Sequence, residues 1–139
     1  MESKYILPPE WAEHSAILLT WPHAGTDWRE YLEDICNVYV EMADAITRHE
    51  RLIIATPEPD KVMGQLKSKL TECQLSKVTL HRCPTNDTWA RDHGAITMVD
   101  TEGASLLDFT FNGWGLKFAS DKDNQLTRRA VDAKILKGR

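Results

Sequence analysis

Residues 86–94 of this 139-residue chain, N-D-T-W-A-R-D-H-G, concentrate side chains that could carry chemistry. Asp87 and Asp92 offer carboxylates, and between them stand the indole ring of Trp89 and the guanidinium group of Arg91. A carboxylate can accept two parallel N–H bonds from a planar cation, while an indole face covers the apolar side of that cation. This segment, called the motif loop below, therefore predicts a binding site for a guanidinium-like group.

The same side chains also have a purely structural interpretation. Asp87 could form an Asx-turn, and Trp89 could belong to the hydrophobic core. Arg91 could pair with the neighbouring Asp92. Short motifs often match by chance, and the local pattern alone favours this structural interpretation.

The elements around the motif loop are expected to place it beside a sheet. Residues 78–82 predict a short strand that leads towards the loop. Residues 95–99 and 105–111 predict two further strands joined by a hairpin turn at 100–103. Asp92 is therefore expected at the end of a loop that enters a strand, where a sheet can present side chains rigidly.

The rest of the chain is predicted to consist of strands that alternate with helices, which is typical of an α/β protein. Apolar runs predict strands at residues 15–21 and 51–56. Alternating four- and three-residue steps between apolar side chains predict a helix over residues 29–49. The inner face of that helix would be formed by Trp28, Leu32, Ile35, Tyr39, Met42 and Ile46.

Polar residues and a proline mark the beginnings of the predicted helices. Asp27 and Glu30 resemble a capping box for the long helix. Pro59 suits the first turn of a second helix. Asn124 could cap a last helix over residues 125–136.

Composition limits the class of protein. The length suffices for one domain with its own hydrophobic core. The chain has 17 basic and 21 acidic residues and a net charge of −4, so the composition does not indicate a nucleic-acid-binding protein. No apolar run reaches membrane-spanning length. The opening M-E-S-K lacks the pattern of a secretory signal, so we expect a cytoplasmic protein. Three cysteines without a CxxC pattern predict neither a disulfide framework nor a zinc site.

Four ordered segments resemble one protein family. The motif loop is similar to the N-D-x-W-x-R-D-x-G segment of the bacterial agmatine deiminase and Porphyromonas-type peptidylarginine deiminase family. Residues 7–14 resemble its P-x-E-W-x-x-H opening, and residues 20–29 its W-P and W-R segment. Residues 111–117 resemble its F-N-x-W-G-x-K stretch.

The resemblance implies a fold and a reaction. The fold would be the pentein α/β-propeller, and residues 1–139 would be the N-terminal part of a single deiminase catalytic domain, with about two of five ββαβ-type units. The reaction would convert a guanidino group into a ureido group and ammonia. A cysteine thiolate attacks the guanidinium carbon, and water cleaves the resulting thiouronium intermediate. This mechanism needs no metal and no organic cofactor.

The resemblance also implies roles for single residues. Asp92 would be the first substrate-binding aspartate and Trp89 the tryptophan beside it. Asp87 would support them, and Arg91 would be a buried structural partner that orients the loop. His93 is expected to be a solvated loop histidine. Three more residues are expected in supporting positions: Trp21, His23 and Trp114.

The family's E-G-G segment, H-x-D segment and C-terminal nucleophilic cysteine have no counterpart in these 139 residues. We therefore expect no catalytic residue in this chain, and Cys36, Cys73 and Cys83 are expected to pack rather than react. The expected substrate is a small guanidine such as agmatine, with peptidyl-arginine as the other choice.

Other interpretations remain open. The chain could be a non-catalytic cation-binding module, or a module that assembles with a second copy or with the missing C-terminal part. An Asp92 side chain turned into bulk solvent, remote from any concavity, would contradict the proposed role of Asp92.

Overall fold

Two small sheets organise the computed structural model, which describes residues 5–138. The first is parallel, with strand order β1-β2-β3, and the second is an antiparallel hairpin. The α/β class predicted from the sequence is confirmed, whereas the five-unit propeller stays a prediction. The strands are β1 (Ile17–Thr20), β2 (Leu52–Thr56), β3 (Val78–Arg82), β4 (Ile96–Asp100) and β5 (Gly103–Leu107).

Helices connect the parallel strands and surround the motif loop. Of the helices predicted from the sequence, the first and second are confirmed with shorter bounds, and the last is shorter than predicted. The helices are α1 (Leu32–Thr47), α2 (Pro59–Lys67), α3 (Glu72–Leu75), α4 (Ala90–His93), α5 (Gly113–Leu116) and α6 (Leu126–Asp132), with 3-10 turns at Arg29–Tyr31 and Asp123–Gln125.

The α1 helix turns a slightly different face inward from the predicted one. Its fully buried positions are Cys36, Val40, Ala43, Asp44 and Thr47, whereas Met42 is exposed. The polar Asp44 and Thr47 can lie inside because they share hydrogen bonds with Gln74. The inner face predicted from apolar spacing is therefore correct only in part.

The caps also differ from the predicted ones. No side-chain cap is formed at the start of α1 or of the 3-10 turn before it, so the predicted capping box of Asp27 and Glu30 is wrong. A complete capping box instead joins Thr71 and Gln74 at α3. Asn124 does not cap α6, because its side chain is hydrogen-bonded to the backbone of Phe111.

The main core lies between the parallel sheet and the helices α1 and α2. The five residues of β2 are all buried, as expected for a central parallel strand covered on both faces. On the helix side, Leu52 and Ile54 pack with Val62 and Leu66. On the other side, Leu18, Ala55, Cys83 and Leu126 form a smaller cluster beneath α6.

This second face of the sheet carries the motif loop and α6.

No helix within residues 5–138 is long and apolar enough to cross a membrane. The secretory-signal prediction concerns residues 1–4, which lie outside the described residues.

Candidate functional site

The motif loop follows β3 and ends in one helical turn, α4. The N–H of Asp92 donates to the Trp89 carbonyl at 2.9 Å, and the N–H of Gly94 donates to the Ala90 carbonyl at 2.7 Å. The expected loop that enters a strand is therefore wrong for residues 90–93, because these local bonds close a helical turn before β4 begins.

A reciprocal set of hydrogen bonds, called the clamp below, joins the motif loop to the segment before α6. The carboxylate of Asp123 accepts the N–H of Asn86 at 2.7 Å and the N–H of Asp87 at 3.2 Å. The side-chain oxygen of Asn86 accepts the N–H groups of Lys122 at 2.8 Å and Asp123 at 3.0 Å. Four backbone donors are thus satisfied by two side chains.

Asp87 is buried and turns its carboxylate towards its own loop. It accepts the N–H of Thr88 at 2.9 Å and the indole N–H of Trp89 at 3.1 Å. An Asx-turn would use the N–H two residues on, so that alternative is wrong. Burial raises the pKa of Asp87, and the negative charges of Asp27 and Asp123 raise it further. The two hydrogen bonds from Thr88 and Trp89 act in the opposite direction.

Trp89 belongs to an aromatic cluster at the surface rather than to the core. Its ring lies 6.2 Å from Trp28 and 6.1 Å from Trp114, nearly perpendicular to the latter. Trp114 in turn contacts Phe111 at 4.9 Å and Phe118 at 5.6 Å, both edge to face. Trp89 is 45% exposed, so the core interpretation of this residue is wrong.

A cavity of about 200 Å³ borders the clamp and the aromatic cluster. Its walls include His23, Asp87, Trp114, Phe118 and Asp123. Carboxylates and aromatic faces both favour a cation. A second cavity, of about 810 Å³, lies against the opposite edge of the hairpin, and no site residue predicted from the sequence lines it.

His23 is held in one tautomer at the cavity wall. The N–H of Gly25 donates to Nδ1 at 3.1 Å, and Nε2 lies 3.0 Å from the hydroxyl of Thr85. Since Nδ1 accepts, the neutral ring carries its proton on Nε2 and donates to Thr85. Burial lowers the pKa of His23, which favours this neutral form.

Asp92 and Arg91 lie at the surface of α4. Asp92 is exposed, lines neither cavity, and its carboxylate has no hydrogen-bond partner among the described residues. The side chain of Arg91 is 87% exposed and pairs with Glu10 at 3.1 Å. Arg91 is therefore neither the predicted buried partner nor paired with Asp92, because Glu10 of the N-terminal segment lies within its reach.

Trp89 directly precedes α4, with non-helical backbone angles, and Asp92 lies within that helical turn. Both side chains are open to solvent. A carboxylate and an indole are the groups that can together bind a planar cation.

Two other predicted residues lie elsewhere. His93 is 2% exposed, so the solvated histidine expected from the sequence is wrong. Its Nε2 lies 3.4 Å from the Thr20 hydroxyl, and burial lowers its pKa. Trp21 is buried in the main core, where its indole N–H donates to Gln65 at 3.0 Å and its ring contacts Tyr39.

The three cysteines differ in burial. Cys36 and Cys83 are buried and Cys73 is exposed. Burial raises the pKa of Cys83 to about 11, although Arg129 opposes the effect, so this thiol stays protonated. No group of three or more potential ligands within residues 5–138 could hold a metal ion.

Sequence reasoning missed three residues of the site. Asp123 holds the motif loop from 36 residues away, and the indole N–H of Trp28 donates to the hydroxyl of Thr88 at 2.9 Å. The apolar spacing had assigned Trp28 to the inner face of a helix. The local sequence does not predict such contacts, because only the tertiary fold brings the two partners together.

A family model for the Porphyromonas-type peptidyl-arginine deiminases matches residues 6–138. The chain belongs to this family. The match runs through the motif loop, the aromatic cluster and the clamp, so all three are parts of a deiminase-family fold.

Similar proteins support the assignment. A Shewanella baltica protein assigned as an agmatine deiminase is 35% identical over 136 residues, which are 91% of this chain and 34% of that protein. A C. jejuni agmatine deiminase, solved as a Cys-to-Ser variant with substrate bound, is 33% identical with a TM-score of 0.85 over 96% of this chain and 38% of its own. A Porphyromonas gingivalis structure assigned as an arginine deiminase is 42% identical with a TM-score of 0.81, covering 94% and 37%.

The chain thus spans about a third of the length of the curated relatives it matches. The structural matches extend the confirmed α/β class to the fold of agmatine and peptidylarginine deiminases.

Proposed function

We propose that this chain supplies the first guanidinium-binding segment of a guanidine deiminase. The observation that carries the proposal is the family match over residues 6–138, which includes the exposed carboxylate of Asp92 and, three residues earlier in the sequence, the half-exposed indole of Trp89. Asp92 would accept the N–H groups of the guanidinium, and Trp89 would cover its apolar side.

Asp92 is exposed and lines neither cavity, so within residues 5–138 the condition stated above for contradicting its role is met. A carboxylate open to water binds a cation weakly, because solvent screens the charge. The relatives are about three times as long as this chain, and we propose that polypeptide corresponding to their remaining length closes over Asp92 and Trp89. In that arrangement residues 1–139 would be the N-terminal part of one catalytic domain, a partial pentein propeller.

The proposed reaction hydrolyses a guanidino group. A cysteine thiolate adds to the guanidinium carbon, a histidine transfers a proton to the leaving nitrogen, and ammonia departs to leave a thiouronium group. Water then adds to the same carbon and the C–S bond breaks, which gives the ureido product and regenerates the thiolate. The buried Cys83, with its raised pKa, is unsuited to the first step, so the nucleophile would lie outside these 139 residues.

We favour a small guanidine of the agmatine class as substrate, with peptidyl-arginine as the alternative. The relatives carry both names. The preference rests on the Shewanella baltica relative and the substrate-bound C. jejuni structure, which both carry the agmatine deiminase name.

The direct test is an assay of ureido product from agmatine and from an arginine peptide, with the natural open reading frame that contains residues 1–139. Asp92→Ala should lower kcat/KM by about a hundredfold or more, because a desolvated charge pair is lost. Asp132→Ala, at an exposed position of α6, is the matched control and should keep full activity. Activity that survives Asp92→Ala would remove Asp92 from the site.

A second candidate function is a non-catalytic cation-binding module, and the buried Cys83, whose raised pKa keeps its thiol protonated, favours it. Calorimetric titration of the 139-residue chain with agmatine separates the two candidates when combined with the assay. Heat without product supports the binding module. No heat and unchanged Trp89 fluorescence would contradict it.

Assembly with a second copy or with a complementary chain is the remaining prediction. Trp114, Leu116 and Phe118 leave apolar surface exposed beside the motif loop. Light scattering that shows a monomer at all concentrations would contradict self-assembly.

A further inference from the structure

We propose that Asp123 is a positioning residue that fixes the motif loop, so that Asp87 in turn orients the indole ring of Trp89. The inference deepens the proposed function and depends on it only for the identity of the cation that Trp89 would cover. Its new element is Asp123, which the sequence did not assign to the site.

The first step is the contact between Asp123 and the loop. Asp123 is 2% exposed, and a buried carboxylate is costly unless its oxygens accept hydrogen bonds. Both oxygens do so, one from the N–H of Asn86 and the other from the N–H of Asp87. Because each oxygen has its own donor, the two peptide groups are fixed in orientation as well as in position.

An aspartate at the N-cap position often caps a helix, but the N-cap position here is occupied by Lys122. Asp123 opens the 3-10 turn Asp123–Gln125, yet that turn has no side-chain cap. The described hydrogen bonds of the Asp123 carboxylate go to the motif loop instead. Helix capping therefore does not explain this residue, whereas holding the loop does.

The contact is reinforced from the other side. The side-chain oxygen of Asn86 accepts the N–H groups of Lys122 and Asp123, and its amide N–H₂ donates to Asp121 at 3.1 Å. The loop can therefore shift relative to the segment before α6 only if several hydrogen bonds break together.

The second step leads from the loop to the ring. Asp87 is fixed by the bond from its own N–H to Asp123, and its carboxylate accepts the indole N–H of Trp89. Trp89 is nearly half exposed, so packing alone does not enclose its ring. The bond to Asp87 selects one ring orientation, in which Trp89 also contacts Trp28 and Trp114.

The test uses the 139-residue chain labelled with 5-fluorotryptophan, whose five fluorine resonances are assigned by single Trp→Phe variants. Asp123→Asn should shift or broaden the Trp89 resonance and leave that of Trp21, in the main core, unchanged. Asp132→Asn, the matched control on α6, should change neither. A Trp89 resonance that stays unchanged in folded Asp123→Asn would overturn the proposal.

Hydrogen exchange of the unsubstituted chain gives a second measurement, which does not depend on a variant that folds. The amides of Asn86 and Asp87 should exchange at least about tenfold more slowly than those of Glu102 and Gly103 in the hairpin turn. Both pairs donate to a carboxylate, but Asp123 is buried whereas Asp100, the acceptor in the turn, is partly exposed. Equally fast exchange of the two pairs would contradict the clamp.

Neither measurement requires substrate or turnover. If the protein encoded by the full open reading frame shows no deiminase activity, the proposed function is overturned. The fluorine and hydrogen-exchange results can still be interpreted in that case. If the enzyme is active and its Trp89 resonance is unchanged in Asp123→Asn, only the positioning role is overturned.

Discussion

The two faces of the parallel sheet are held by different forces. On the helix side, β2 packs apolar side chains such as Leu52 and Ile54 against α1 and α2. On the other side, the motif loop is held by buried carboxylates, backbone N–H groups and a half-exposed aromatic cluster. The apolar side supplies non-directional stabilisation, whereas the polar side supplies directional contacts that fix particular side chains.

The difference shows how stability and site geometry can be separated in one small chain. Loss of apolar area on the helix side should lower the free energy of unfolding of the whole fold. Changes on the motif-loop side should instead alter the orientation of Trp89 or the response to pH.

The largest effect is expected for Ile54→Ala. Ile54 is fully buried in the centre of β2, and removal of such a side chain costs about 2–5 kcal/mol in free energy of unfolding. Urea unfolding followed by far-UV circular dichroism measures the loss. Val38→Ala, on the exposed side of α1, is the control and should stay within about 0.5 kcal/mol. Similar losses in the two variants would show that the main core is not where the structure places it.

The next largest effects on the free energy of unfolding are expected at two glycines, where the same substitution should act in opposite directions. Gly113 has φ +61°, and an added Cβ would overlap the carbonyl oxygen of Phe118. Gly113→Ala should therefore lower the free energy of unfolding by more than about 1 kcal/mol and disturb the neighbouring Trp114.

Gly64 is the opposite case. It lies inside α2 with open space around its Cα, so Gly64→Ala should raise the free energy of unfolding by about 0.5–1 kcal/mol. Thermal unfolding of both variants compares the two regions directly. Equal signs for the two substitutions would be inconsistent with these backbone conformations.

A third prediction uses two aspartates with opposite pKa shifts. Burial raises the pKa of Asp87 above its ordinary value of 3.8, so the unfolded state releases this proton first and stability falls as the pH rises above about 4. Hydrogen bonds from Gln74 and Arg48 lower the pKa of Asp44, so its contribution is present above pH 3.8 and is lost as the pH falls through the lowered value.

Urea midpoints measured between pH 2.5 and 6.5 for the unsubstituted chain, Asp87→Asn and Asp44→Asn test this contrast. Compared with the unsubstituted chain, Asp87→Asn should become more stable as the pH rises. Asp44→Asn should be less stable than the unsubstituted chain at pH 6.5, and this difference in stability should shrink as the pH falls. Parallel pH profiles of all three proteins would show that neither carboxylate is perturbed.

The smallest effect is expected for Arg91→Ala. The ion pair of Arg91 with Glu10 is exposed on both sides, and such pairs contribute about 0–1 kcal/mol. The free energy of unfolding should change by less than about 0.5 kcal/mol, and 1 M salt should remove even that difference. A large loss would restore the buried, loop-orienting role that the sequence suggested.

Sequence reasoning succeeded where one repeating pattern specified one element. The apolar runs and the Pro59 start predicted β2, β3 and α2, because buried strands and helix starts have local signatures. It failed at α4 and at the caps of α1. A single helical turn has no periodicity to detect, and several side chains can compete to cap one helix end.

The same limit applied to the candidate site. The residue types of the motif loop alone favoured a structural interpretation, whereas its resemblance to the family motif pointed to a site, and the family match confirms the resemblance. The burial of His93, the exposed pairing of Arg91 and the inward position of Trp21 were not recognisable, because each depends on which distant segment covers the residue.

The sequence by itself determined the alternation of strands and helices and the membership of a deiminase family, since apolar spacing and ordered motifs are properties of the linear chain. Only the tertiary structure decided that Asp123 and Asn86 join the motif loop to the segment before α6. Hydrogen bonds between residues more than 30 positions apart exist only after the sheet has brought both segments to the same face, so no local pattern encodes them.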